Sequence, residues 1–110
     1  IVTAAEVRRM PSAHAARLRE WRGVYLIVDE ADGQRYVGSA SGAENLLGRW
    51  QAHVARDRGV TAELGKRDPT GFRFSILELL APSASAKEVL AIEGNWKDRL
   101  ATRSWGLNRN

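Results

Sequence analysis

A glutamate in the middle of an apolar helix face is the residue of this chain whose chemistry is hardest to dismiss. Val89, Ile92, Trp96 and Leu100 recur at helical spacing, and on the same wheel Glu93 falls about 40° from Val89 and about 20° from Leu100. Burying an unpaired ionised carboxylate is costly, so an acid at this position needs a charged partner, a metal ion or a raised pKa. A structural salt bridge to an arginine of the sheet and a metal-binding or catalytic role both meet that need. Two other groupings carry weaker signals. Tyr25 and Tyr36 flank an Asp32-Gly33 turn. Arg49 and His53 lie one helical turn apart, within about 60° of Leu46, where they would meet the edge of whatever the helix packs on. For the tyrosines the plain alternative is strand propensity, and for the Arg-His pair it is a solvated surface. His14 has no second ligand four residues on and reads as a surface or packing histidine.

The elements that must position these groups follow from periodicity and punctuation. Gly23 to Gly38 holds two apolar runs around Asp32-Gly33, which predicts a hairpin closed by a type I′ turn. If the loop is the two-residue turn, Gln34 pairs with Ala31, so Tyr36 faces Asp29 and shares a sheet face with Ile27 and Tyr25; a four-residue loop gives the same shared face. An odd loop length would separate the phenols. Ahead of the hairpin, Ala4 to Trp21 reads as helix interrupted at Pro11, with Ser12 as the cap of its second part. After it, Ala43 to Asp57 reads as a helix with Leu46, Leu47, Trp50 and Val54 as its stripe, ending at Gly59. Val60 to Gly71 reads as loop with a helical turn near Ala62 to Leu64. Phe72 to Leu80 reads as a strand, with Phe72, Phe74 and Ile76 on one face. The capping box Ser85-Ala-Lys-Glu88 opens a helix running to about Thr102. In the tail, Ser104 to Asn110, Asn108 reads as a backbone-bonding loop residue.

Length and composition limit what such groups could serve. The 110 residues suit one domain with a modest core. No apolar run is long enough to span a bilayer and no signal-peptide pattern opens the chain, so no membrane partner is expected. The absence of cysteine removes disulfides, thiolate metal sites and a cysteine nucleophile, and fits a cytoplasmic setting. A first residue of isoleucine suggests a piece of a longer chain. The net charge of +4 and the pI near 10.1 favour an anionic partner. Of 17 basic residues 14 are arginine, whose planar donor fork matches phosphate oxygens, although a GC-rich, alanine-rich genome gives the same bias. There is no phosphate-binding glycine fingerprint, paired-histidine zinc motif or Gly-x-Ser-x-Gly elbow.

Taken in chain order, these residues resemble the GIY-YIG nuclease family over about Gly23 to Asn108. Gly23-Val24-Tyr25 stands for the first signature triplet and Tyr36-Val37-Gly38 for the second, each with valine in place of isoleucine. Arg49 with His53 looks like the family's Arg-x-x-x-His, Glu93 like its metal-binding glutamate, and Asn108 like the asparagine that closes the motif set.

The resemblance implies an α/β fold, an α+β sandwich with a small three-stranded antiparallel sheet flanked by helices in the order α-β-β-α-β-α. It places a nuclease domain over residues 23–110, behind an N-terminal helical extension over 1–22. It also implies a metal-dependent endonuclease that hydrolyses phosphodiester bonds in DNA, double-stranded by family habit. Mg²⁺ or Mn²⁺ on Glu93 would polarise the phosphate and stabilise the leaving 3′ oxygen, and Arg49 would neutralise the phosphoryl charge. Tyr25 would be the general base with His53 as its helper, Tyr36 would orient water or phosphate, and Asn108 would fix the geometry. One metal site per chain means that cutting both strands takes a transient dimer or two visits. The alternative on the same fold is a non-catalytic nucleic-acid-binding or partner-recognition module.

Overall fold

The computed structural model describes residues 1–42, 45–55 and 62–109. Two strands rich in β-branched and aromatic residues, β2 (Arg22–Asp29) and β3 (Arg35–Ala40), form the hairpin, and β4 (Phe72–Leu80) pairs antiparallel with the other side of β2. A two-residue strand, β1 (Val2–Thr3), adds to the far edge of β4, so the sheet is four-stranded in the order β1-β4-β2-β3 where three strands were expected. Two residues are too few for alternation to show in the sequence.

The hairpin differs from expectation in its turn. Asp29 pairs with Gln34, its carbonyl accepts the Gly33 N–H at 2.8 Å, and Tyr36 lies opposite Ile27 instead of Asp29. Only Gly33 has a positive φ, +75°, so the turn is not type I′, which needs two such residues. The cause is the Asp29 side chain. It is buried, accepts the Ala31 N–H at 3.0 Å and pairs with Arg67 at 3.0 Å, which closes the ladder at Asp29 and leaves Glu30 to Gly33 as the loop. The register moves by two residues, an even shift, so the side chains keep their faces.

One sheet face carries Tyr25, Ile27, Tyr36 and Phe74 against α3 (Asn45–Ala55), whose Leu46, Trp50 and Val54 belong to the same buried cluster. Trp50 packs on Phe74 with ring centroids 5.3 Å apart. The expected helix Ala43 to Asp57 is described only as Asn45–Ala55; its ends at Ala43, Glu44, Arg56 and Asp57, and the break at Gly59, lie outside the described residues. The N-terminal helices α1 (Ala4–Arg8) and α2 (Ser12–Glu20) pack on α3, and Ala4 and Val7 enter the same core. α2 has Pro11, not Ser12, at its N-cap, with no side-chain cap bond, because extended Pro11 leads directly into helical Ser12.

A short helix, α4 (Ala62–Gly65), and a 3₁₀ turn over Pro69–Gly71 lead into β4. On the other sheet face Val24 and Val37 are fully buried, and α5 (Ala86–Leu100) packs on β2 and β3. Arg35, which shares the face of Val37, donates to the Leu100 carbonyl at the end of α5. The Ser85-Glu88 capping box forms as the sequence predicts. The helix stops at Leu100 because Ala101 turns left-handed, φ 52°, ahead of a four-residue α6 (Thr102–Trp105).

Candidate active site

The two signature triplets owe their glycines to close approaches. A Cβ at Gly23 would stand 2.6 Å from the Glu78 carbonyl oxygen, beside the irregularity where β4 gains a residue against β2. A Cβ at Gly38 would stand 2.5 Å from the Tyr25 hydroxyl. Gly38 is thus the gap through which the Tyr25 ring crosses β3. Tyr36, two residues earlier, lies diagonally across the ladder from Tyr25 on the same face, as the alternation predicts.

His53 closes over both phenols. Its ring centroid is 5.8 Å from that of Tyr25 and 5.6 Å from that of Tyr36, and its Nε2 lies 2.8 Å from the Tyr25 hydroxyl. The wheel put His53 at the stripe's margin, whereas the structure buries it completely and leaves Arg49, one turn earlier, half-exposed. Burial first, and Arg49 second, pull the His53 pKa down to about 3, so the imidazole is neutral. Burial raises the Tyr25 phenol far above its ordinary value; Tyr36 and Glu93 add to that, and the Arg49 guanidinium opposes it. Tyr36 is raised by burial and by Glu93, again against Arg49. Both tyrosines therefore feel one cation and one carboxylate. These are the residues that the sequence singled out on two separate helices.

Glu93 does have the charged partner that its position demanded, but not one from the sheet. Lys97, one turn along α5, places Nζ 2.9 Å from Glu93 Oε2, with side chains 5% and 14% exposed. The buried line of α5 runs through Val89 and Lys97, with Glu93 between them, and Ile92, Trp96 and Leu100 flank it half-buried. Lys97 is the site residue that reading for apolar periodicity missed. Its signal was the Glu-to-Lys spacing of four, the favoured orientation for a helical ion pair.

Asn108 serves the backbone. Its Oδ1 accepts the Val37 N–H at 2.9 Å and its Nδ2 donates to the Val37 carbonyl at 2.8 Å, while Leu107 donates to the Arg35 carbonyl. The tail is thereby laid along the open edge of β3, on either side of Tyr36. With both amide atoms engaged, Asn108 is a positioning residue.

Among the described residues no three histidine, aspartate or glutamate side chains cluster to hold an ion. His53 Nε2 is engaged by Tyr25 and its Nδ1 is buried without a partner, and Glu93 offers one carboxylate oxygen beyond the one on Lys97. That donor set fits a hard cation that keeps most of its water and takes phosphate oxygens, and does not fit a protein cage.

The chain is thus an antiparallel sheet between helices, with two tyrosines and a neutral histidine packed together against α3 and an ion-paired glutamate on the helix that covers the other face. The family model described as the GIY-YIG catalytic domain matches residues 22–108, and the chain belongs to that family. Among solved structures it is similar to the catalytic domain of the intron endonuclease I-TevI, in a mutant form. The TM-score is 0.63 at 22% identity, covering 82% of this chain and 94% of that one, a likeness of fold. No curated protein matches the chain. Among the described residues no helix is long and apolar enough to cross a membrane.

Proposed function

We propose that the protein is a metal-dependent endonuclease that hydrolyses phosphodiester bonds in duplex DNA. The observation that carries this reading is the Tyr25 hydroxyl held 2.8 Å from a histidine that burial keeps neutral, with Arg49 on the same phenol. A phenol with a raised pKa is no base by itself. It becomes one by passing its proton on as it takes another. For the relay the phenol's own hydrogen must go to His53 Nε2, which requires the Nδ1–H tautomer.

As water attacks phosphorus, its proton goes to Tyr25 and the Tyr25 proton goes to His53. The P–O3′ bond breaks, leaving a 5′-phosphate and a 3′ oxygen that takes its proton from solvent. Arg49 neutralises the negative charge gathering on the phosphoryl oxygens and Tyr36 orients the water. A divalent ion, Mg²⁺ or Mn²⁺, held by Glu93 would supply Lewis-acid stabilisation of the phosphate and the leaving oxygen. A phosphodiester anion beside Arg49 also counters the field that weakens His53 as an acceptor.

In this reading residues 23–110 are the nuclease domain, residues 1–22 are an extension of it, and the setting is cytoplasmic. Two protomers or two visits cut both strands. Arginine-rich charge and the family membership support a nucleic-acid substrate. The test is Glu93→Ala with plasmid, single-stranded DNA and RNA as substrates, in Mg²⁺, Mn²⁺ or EDTA. Cleavage should fall by about three orders of magnitude or more with DNA binding retained, as expected when a charge-stabilising group is lost. Undiminished cleavage would remove the metal role. Wild-type protein that binds DNA and never cuts it would leave a recognition module.

A further inference from the structure

Lys97 is one of three lysines in the chain, and it is 4% exposed. A surface lysine beside a glutamate is ordinary; a buried one is not, because the ammonium gives up its water and must be compensated. Its Nζ lies 2.9 Å from Oε2 of the same carboxylate assigned to the divalent ion. Arg49 is a second cation, acting on the same two tyrosines on which Glu93 acts. Lys97 already holds one oxygen of the Glu93 carboxylate. A divalent ion entering alone would meet that cation and would find a single carboxylate oxygen, since no cluster of three acidic or imidazole ligands exists among the described residues. A phosphodiester reverses both deficits, bringing negative charge and hard oxygen ligands together.

We propose that Lys97 is the resident counter-cation of Glu93, and that the divalent ion is retained only together with the phosphodiester, which completes its site. Lys97 is then a positioning residue that sets ion affinity: it keeps Glu93 in place and satisfied while the site is empty of substrate. The inference rests on the metal-dependent reading above. It makes ion and nucleic acid mutually dependent ligands, so each tightens the other by the same factor.

The experiment measures Mn²⁺ binding by electron paramagnetic resonance, to the free protein and to its complex with phosphorothioate duplex DNA, which slows turnover while Mn²⁺ tolerates sulfur. Wild-type protein should hold Mn²⁺ about ten-fold more tightly in the complex, within the usual range of coupling between sites. Free Lys97→Met should bind Mn²⁺ about ten-fold more tightly than free wild type, because the competing charge is gone. Lys97→Arg should stay weak, and circular dichroism checks that each variant is folded. Equal Mn²⁺ affinity of wild type with and without DNA overturns the proposal, as does weaker binding by Lys97→Met. If Lys97→Met does not fold, the wild-type comparison decides alone. No Mn²⁺ retained in the DNA complex would instead defeat the metal-dependent reading itself, a result separable from Mn²⁺ bound equally in both states.

Discussion

The two sides of the site solve opposite problems. On the hairpin and α3, Tyr25, Tyr36 and His53 are kept uncharged by burial, and their arrangement depends on ring packing and one buried hydrogen bond. On α5, Glu93 and Lys97 pair with each other across one helical turn, Nζ 2.9 Å from Oε2. In the proposed reaction the first side moves a proton between neutral groups. The second would hold the charged ligands. The difference teaches why burial alone does not identify a role: a buried imidazole here is neutral, whereas a buried lysine lies directly on a carboxylate.

The largest expected effect breaks the proton side and spares the charged side. Tyr25→Phe keeps the ring over Gly38 and deletes only the hydroxyl, so turnover should fall by about 10²–10⁴-fold, the usual contribution of a general base. Mn²⁺ retention in the DNA complex should be unchanged. Stability should fall by about 1–2 kcal/mol, since His53 Nε2 loses its partner inside the core. Single-turnover cleavage and denaturant titration separate the two, and near-normal cleavage would reduce Tyr25 to a packing residue.

The next tests the link between the sides. Asn108 ties the chain that follows α5 and α6 to β3, the strand of Tyr36. Asn108→Ala leaves the buried Val37 N–H and carbonyl unpaired and should cost about 3 kcal/mol of stability. Activity should fall because the sides lose alignment, while the His53 titration behaviour described below persists. An Asn108→Ala protein as stable as wild type would mean that the tail is held by Leu107 alone.

Most of this division was legible in the sequence because two periodicities carry it. Alternation put Tyr25 and Tyr36 on one face even though the turn was misjudged, since an error of two residues preserves parity. The helical period put Glu93 on the apolar face of its helix and Arg49 and His53 at the margin of theirs, short of the burial that His53 reaches. What stayed hidden depended on contacts far apart in the chain or on residues that break no local rule. The Arg67 side chain reaching back to Asp29 set the hairpin register from 38 residues away. Lys97 breaks no local rule of the helix, and only the structure shows it buried with Glu93 where α5 packs on the sheet. Ala101 ends α5 in a conformation usually left to glycine, which no glycine marked.

The smallest expected effect sharpens the contrast, because only the proton side should make folding sensitive to mild acid. In the folded protein His53 titrates at about 3, against 6.5 for an ordinary histidine. The unfolded chain therefore takes up this proton first as the pH falls, and proton uptake favours unfolding. The contribution is fully present above pH 6.5 and is lost progressively as the pH drops toward 3, at about 1.4 kcal/mol per unit. From pH 7 to pH 5 that amounts to about 2 kcal/mol. Carboxylates ordinarily titrate at about pH 4, so the informative quantity is the difference between wild type and His53→Gln. The variant should be less stable at pH 7, having lost the fitted ring, and its stability should change less between pH 7 and pH 5. Guanidinium titrations at the two pH values measure both slopes. Parallel slopes would mean that His53 carries its charge in the fold, and the neutral acceptor on which the Tyr25 relay depends would be gone.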